Sequence, residues 1–244
     1  MVVVLLMGLV PASWGDRVWS SLVLNPEPWW FYSGGPGEGV TWRSIVSNEF
    51  FYDRLDNRQS ATEGYFARLQ NDLAGLGGDA RFLRTTTSAG YYIPFTESLI
   101  GSVRGEVGYI FGIADDVRIS DRYFLGGDSL RGFASRGIGP RDLATDDALG
   151  GNFLYSGTVE LTFPLGLPEE LQIRGRVFSD FGAVTGLDDD TDTVEDTASP
   201  RLAVGTGLTW RSPLGPIAID FAVPILIEDF DEEERFRFSF GTRF

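Results

Sequence analysis

The chain has 244 residues, no cysteine and no histidine, a formal net charge of −15 and a pI near 4.3. Disulfide frameworks, thiolate metal sites and Ser-His or Cys-His catalysis are thereby excluded. The acidic balance argues against nucleic acid, whose phosphates need clustered Lys and Arg.

No stretch of about 20 apolar residues is present for a membrane helix, and the 31 Gly, 19 Phe and 8 Tyr suit an all-β chain of one domain. Met1 to Val10 is a short apolar run followed by Pro11-Ala12-Ser13-Trp14-Gly15. It is only weakly signal-like, because no Lys or Arg precedes it and Trp14 intrudes at the cleavage pattern. The reading preferred over a signal is that an internal methionine has been taken as the start of a longer protein. Residues 1–42 are therefore an N-terminal segment of uncertain role, and 43–244 form the barrel-like unit.

From Arg43 onward apolar and polar residues alternate with a period of two, the strand period. Arg43 to Asp53 and Glu63 to Ala74 are the first two strands, with Gly75 to Asp79 expected as a tight turn. Ala80 to Ile93, stopped by Pro94, is the third. In the fourth, Ser98 to Phe111, Val103, Val107, Tyr109 and Phe111 oppose Ser102, Arg104 and Glu106. After a long loop, 112–151, the pattern returns in Asn152 to Phe163, Leu171 to Gly182, Arg201 to Arg211, Gly215 to Val223 and Arg235 to Phe244. In a soluble sandwich the apolar faces would form the core. In a transmembrane barrel they face lipid and the charged faces line the lumen.

Two features favour the membrane. The last strand alternates Phe236, Phe238, Phe240 and Phe244 with Arg235, Arg237, Ser239 and Arg243. Such an aromatic edge would template aggregation in water. Connections at 94–97, 164–170 and 212–214 are short, whereas 112–151, 183–200 and 226–234 are long and partly acidic, the asymmetry of outer-membrane barrels. The expected fold is all-β, an antiparallel transmembrane β-barrel, partial, with about nine strands. Natural barrels usually have an even number, and Arg17 to Leu24 is the candidate for a tenth.

The long loop carries Asp121-Arg122-Tyr123-Phe124-Leu125-Gly126-Gly127-Asp128-Ser129-Leu130-Arg131-Gly132-Phe133, too apolar and glycine-rich for a plain linker. An arginine in a lumen needs a carboxylate. By strand parity the best candidate is Asp180, within Phe178-Ser179-Asp180-Phe181-Gly182. Gly126, Gly127 and Gly132 would let the loop backbone approach the wall. The alternative leaves Arg131 exposed and pairs Asp180 with Arg174 or Arg176. The run Asp188-Asp189-Asp190-Thr191-Asp192 lacks the glycine and terminal glutamate of a calcium loop and reads as a solvated loop.

These residues resemble the C-terminal part of the BamA/TamA outer-membrane assembly factors, the bacterial surface antigen family. Leu130-Arg131-Gly132-Phe133 is similar to the family's Val-Arg-Gly-Phe loop signature, with Leu for Val. Phe178, Asp180 and Gly182 match its Phe-x-Asp-x-Gly signature. The Trp210-Arg211-Ser212-Pro213-Leu214-Gly215-Pro216 hairpin and the ending Phe238, Phe240, Gly241, Phe244 resemble its last hairpin and terminal β-signal.

The resemblance implies an outer-membrane protein that inserts and folds β-barrel clients by membrane thinning and strand templating, with no catalytic residues, cofactor or metal. The implied partners are outer-membrane lipid, unfolded outer-membrane protein clients and accessory lipoproteins of an assembly complex. It also implies periplasmic repeat domains and sixteen strands, so the chain is expected to be a truncated form or a piece that needs a second chain. A passive outer-membrane porin and a translocation pore of a related family are the alternatives.

Overall fold

The computed structural model describes residues 18–30, 40–58, 60–78, 80–188, 193–212 and 215–241. The signal-like start, residues 189–192 of the acidic run, Pro213-Leu214 of the hairpin and the terminal Phe244 lie outside them. Fifteen strands follow in chain order: β1 (Val18–Trp30), β2 (Val40–Asp53), β3 (Gly64–Gly78), β4 (Phe82–Pro94), β5 (Ile100–Gly112), β6 (Gly132–Phe133), β7 (Arg141–Asp142), β8 (Asp147–Ala148), β9 (Phe153–Pro164), β10 (Ile173–Thr185), β11 (Val194–Glu195), β12 (Arg201–Ser212), β13 (Gly215–Leu226), β14 (Glu233–Glu234) and β15 (Phe236–Phe240).

Ten of them form one antiparallel sheet in the order β1-β2-β3-β4-β5-β9-β10-β12-β13-β15. Every long strand is paired with its neighbour along the chain, as in an up-and-down meander. Among the described residues β1 and β15 do not pair with each other, so the sheet is a partial barrel wall with two edges.

The wall is inside-out relative to a soluble protein. Val103, Val107, Tyr109 and Phe111 of β5 are exposed on one face, as are Val177 and Phe181 of β10 and Leu208 and Trp210 of β12. Phe236, Phe238 and Phe240 continue that face on β15, each about 60% exposed at 60%, 59% and 61%. The other face carries Asp72, Ser102, Arg176, Asp180 and Asp220, all buried. A polar buried face behind an apolar exposed one is what lipid outside and a lumen inside demand.

Four expectations need correction. First, the candidate tenth strand at Arg17 to Leu24 is present but extends further, to Trp30, and pairs along its described length with β2, from Val18 opposite Tyr52 to Trp30 opposite Val40.

Second, Gly75 to Asp79 is not a tight turn. β3 runs on to Gly78, and Gly75-Leu76-Gly77 bulges opposite Ser44, whose hydroxyl donates to the Gly77 carbonyl at 2.5 Å. The turn signal was real but the glycines serve a bulge, which absorbs extra residues without ending a strand.

Third, Leu171 belongs to a single 3-10 turn, Glu169–Leu171, and Gln172 has a φ of 51°, so the strand begins at Ile173.

Fourth, the alternation of loop lengths holds only from β4 onward. The β2–β3 connection, on the side of the short turns, is the longer 54–63, and the opposite β3–β4 connection is the brief 79–81.

The core lies within the concave face, where the loop between β5 and β9 folds back. Leu125, Leu130, Phe133 and Ile138 of the loop pack on Leu154, Val184 and Ala203 of the wall. A second cluster joins Val117 of the loop to Ala74, Ala80, Phe82 and Ile110. Tyr123 spans both, its hydroxyl within 2.7 Å of Thr86 Oγ1 and donating to the Thr85 carbonyl at 3.1 Å. Fully burying a side chain such as Leu130 or Phe133 contributes about 1.5–3 kcal/mol, so the loop behaves as a structural plug rather than a linker.

Candidate functional site

β10 explains how the plug is received. In a strand, residues two apart share a face, so Arg174, Arg176, Phe178, Asp180 and Gly182 all point into the concavity while Val177 and Phe181 point to lipid. The register sets Phe178 between Glu160 of β9 and Gly205 of β12, and Asp180 between Thr158 and Ala203. Gly205 leaves room for the Phe178 ring, which lies where a Cβ would stand.

Arg131 lies over this surface. Its guanidinium forms a fork on Asp180, Nε to Oδ2 at 2.6 Å and Nη2 to Oδ1 at 2.8 Å, and its backbone N–H donates to the same Oδ2 at 3.1 Å. Nη1 donates to Glu160 at 2.9 Å, and Cζ stands 3.2 Å from the centre of the Phe178 ring. Planar guanidinium chemistry suits all three contacts at once: bidentate pairing, a second acceptor and stacking on an aromatic face. Arg131 and Asp180 are each 1% exposed. Desolvating two such ions costs several kcal/mol each, and the pair persists because nearly every donor of the fork finds an acceptor.

The pair is the centre of a wider network. Arg176 forms its own fork on Asp220, Nε to Oδ1 at 2.8 Å and Nη2 to Oδ2 at 2.5 Å, and reaches Glu160 at 3.7 Å. Asp220 lies 4.0 Å from Arg131. Two guanidiniums and three carboxylates thus interlock across β9, β10 and β13 beneath the plug. Arg176 is occupied by Asp220 and leaves Asp180 to Arg131, and Asp180 has no ion pair with Arg174 among the described residues.

Two glycines of the motifs have separate tasks. Gly132 has a φ of 98°, where side chains are strained, and a Cβ there would lie 3.0 Å from the Ala203 Cβ. Its backbone therefore touches the wall. At Gly182 a Cβ would come within 2.6 Å of the Tyr155 carbonyl and 3.0 Å of Leu125 Cδ2, so the absent side chain leaves space for the plug. Gly126 departs from expectation: its neighbours are Ala134 and Gly137 of the same loop, not the wall.

The plug is also tied to the last loop and the last strand. β6, which contains Gly132 and Phe133, pairs with β14, Glu233 opposite Phe133 and Glu234 opposite Gly132. Arg201 and Asp231, both with fully buried side chains, form a third fork at 2.9 and 3.0 Å that anchors the loop leading to β14. Arg141 in the plug pairs with Glu232 at 2.6 Å and Asp146 at 2.8 Å. Burial opposes its charge, but these two carboxylates prevail and hold the guanidinium above its ordinary value. Asp128 at the tip accepts from Ser239 of β15 at 2.8 Å and lies 3.8 Å from Arg237.

Of the terminal aromatic set, Phe238 and Phe240 are on the lipid face and Gly241, at φ 113°, donates to the Pro216 carbonyl at 3.0 Å. They do not touch Arg131 or Asp180. Leu130, Arg131, Gly132 and Phe133, by contrast, meet Phe178, Asp180 and Gly182 in one place. The sequence motifs passed over Glu160 and Asp220. Both had a signal: Glu160 is the only acid of β9, and Asp220 the only charge of β13. A lone charge in an apolar strand requires a partner. Asp188 accepts from the Val117 N–H and the Asn152 side chain at 2.8 Å each, closing the base of the plug loop.

Comparison with known proteins places this geometry. Residues 25–244 match the Omp85 superfamily domain. The outer membrane protein assembly factor BamA of Neorickettsia risticii is 39% identical over 203 residues, covering 82% of this chain and 27% of that protein. A SAM50-like protein of Schizosaccharomyces pombe is 28% identical, with 79% of this chain and 42% of that protein covered. Among solved structures, BamA of Haemophilus ducreyi lacking POTRA domains 1–3 superposes with a TM-score of 0.72 at 25% identity, over 85% of this chain and 44% of that one. The chain therefore spans between about a quarter and under half of the length of these relatives.

Proposed function

Because the chain belongs to the Omp85 superfamily and is a piece of outer-membrane β-barrel wall, we propose that it serves the insertion and folding of β-barrel proteins into the outer membrane, without covalent chemistry. Relatives named as assembly factors in bacteria support this reading. The observation that carries it is the plug: held by Arg131 on Asp180, Glu160 and Phe178, it packs against the concave face and obstructs the path that a passive porin would keep aqueous.

In this reading the ion-pair network has a positioning role. It holds the plug, and the plug in turn holds β15 through Asp128 and through β14. β15 pairs with β13 on one side only among the described residues, so its other edge offers free backbone donors and acceptors. An unfolded client strand can add to such an edge by main-chain hydrogen bonding. The exposed phenylalanines keep that edge in the lipid where client strands must arrive. The clients are unfolded outer-membrane proteins, and accessory lipoproteins of an assembly complex are the further partners.

The test is the rate at which a urea-denatured outer-membrane barrel acquires its folded, heat-modifiable mobility in vesicles with and without this chain. Faster folding with the chain, lost in Arg131→Ala, is the expected result. A stable ion conductance with no effect on client folding would assign a porin instead.

A further inference from the structure

The arginines of this acidic chain are not spread evenly. At the end of the wall that carries the turns 95–99 and 165–172, a cavity of about 750 Å³ opens between β5, β9, β10, β12 and β13. Arg58, Arg104, Arg174, Arg176 and Arg211 line it, against the carboxylates of Glu97 and Glu160. Arg58 is paired with Asp53, and Arg176 with Asp220. Three guanidiniums remain.

Arg104 reaches Glu160 only at 3.9 Å, and Glu160 is already shared with Arg131 and Arg176. Arg104 Nε is buried without a hydrogen-bond partner, an arrangement that costs free energy in the absence of a ligand. Arg174 and Arg211 form no ion pair among the described residues. Arg174 is opposite Thr209, two residues from Arg211, so both cations share one face of adjacent strands, where like charges repel.

From this we infer a binding site for an acidic, partly apolar peptide segment that enters the concavity from the short-turn end. Charge complementarity identifies the acid: among the described residues Arg174 and Arg211 have no carboxylate partner and Arg104 has only a distant, shared one. Ile100 and Leu167, which line the same cavity, supply apolar walls that a bare phosphate cannot use. A lipid headgroup is disfavoured by position, since the lipid face is the opposite one, where Val103, Val177 and Leu208 are exposed. The cavity also reaches Ser239 and Gly241 at the end of the last strand, so a bound segment lies beside the edge that offers strand pairing. That the segment belongs to a client rests on the assembly reading, whereas binding of the segment does not.

The experiment uses the full chain in detergent micelles and a fluorescein-labelled decapeptide of alternating Glu and Val, compared with its Gln and Val analogue by fluorescence anisotropy. Binding of the acidic peptide at least about tenfold tighter than the neutral one, and weakened as salt screens the charges, is expected. Arg174→Gln/Arg211→Gln should remove that preference, and Arg174→Lys/Arg211→Lys should retain most of it. Equal binding of the two peptides overturns the inference, as does an unchanged preference in the glutamine variant. Displacement by inorganic phosphate at equal charge also overturns it, reducing the cavity to a simple anion site. Phosphatidylglycerol micelles that compete as well as the peptide would assign lipid instead. If the glutamine variant fails to fold, the acidic-to-neutral ratio and its salt dependence in the parent chain decide. Peptide binding without any effect on client folding would retain the site and remove only the client reading.

Discussion

Ser239 on the terminal strand donates a hydrogen bond at 2.8 Å to Asp128 at the tip of the plug loop, 111 positions earlier in the chain. Arg237, two residues before Ser239 and on the same face, lies 3.8 Å from the same carboxylate and pairs with Glu234 at 2.6 Å. The plug thus reaches past the wall that receives it and touches a strand that, among the described residues, pairs on one side only.

This link predicts that Asp128→Ala loosens β15 without unfolding the barrel. A partly exposed, charge-assisted hydrogen bond is worth about 1 kcal/mol. The backbone groups of Arg237 and Ser239 are the ones that face β13, so exchange of their amides should accelerate roughly fivefold, while the amides of β9 and β10 keep their protection. Unchanged exchange at β15 would mean that the plug does not restrain the last strand.

Gly132→Ala probes the contact of the plug backbone with the wall. The added Cβ would stand 3.0 Å from the Ala203 Cβ and the residue would keep a φ of 98°. Strain of about 1–3 kcal/mol is expected from the backbone alone. Ala203→Gly in the same chain should recover the steric part and leave the conformational part. Urea unfolding from lipid vesicles separates the two, and complete recovery would show that φ at Gly132 is unimportant.

A pH effect is expected away from the membrane, in the 54–63 turn. Slight burial tends to raise the Asp56 carboxyl, but the Thr62 hydroxyl and the backbone N–H groups of Thr62, Glu63 and Asn57 outweigh it and bring it down to about 2. An unfolded Asp titrates near 3.9 (a typical value, about 3.9). The folded value lies below the unfolded one, so the stabilisation is complete above the unfolded value and lost as pH falls through about 2. The Thr62 amide resonance should move with a midpoint near 2 in the parent and not at all in Asp56→Asn. A midpoint near the ordinary carboxylate value would remove these hydrogen bonds from solution.

How much of this was written in the sequence differs by feature. Strand parity placed Phe178, Asp180 and Gly182 on one face before any coordinates, because the two-residue period is fixed by the backbone. Parity cannot decide which cation a carboxylate receives. Arg174, Arg176 and Arg131 were all available to Asp180, and only the register of β12 and β13, which brings Asp220 beside Arg176, resolves the competition. The β3 bulge was misread for a similar reason. Gly75 and Gly77 signal an unusual φ, but whether that ends a strand or bends it depends on the length of β2 opposite. β1 was only suggested, because Pro26 and Pro28 interrupt its alternation.

The ties between the plug and β14, and between Arg201 and Asp231, had no sequence signal. They join residues 30 to 102 positions apart through loops whose course the local pattern does not fix.

The claim on which the rest depends is that the plug is held in the lumen by Arg131 on Asp180. A double-mutant cycle with Arg131→Ala, Asp180→Ala and the combined variant, each unfolded by urea from vesicles, measures it directly. Each single change should cost about 3–5 kcal/mol, since it leaves a buried charge without its partner. The combined variant should cost much less than their sum. Strictly additive losses would contradict the account and return Arg131 to an exposed loop.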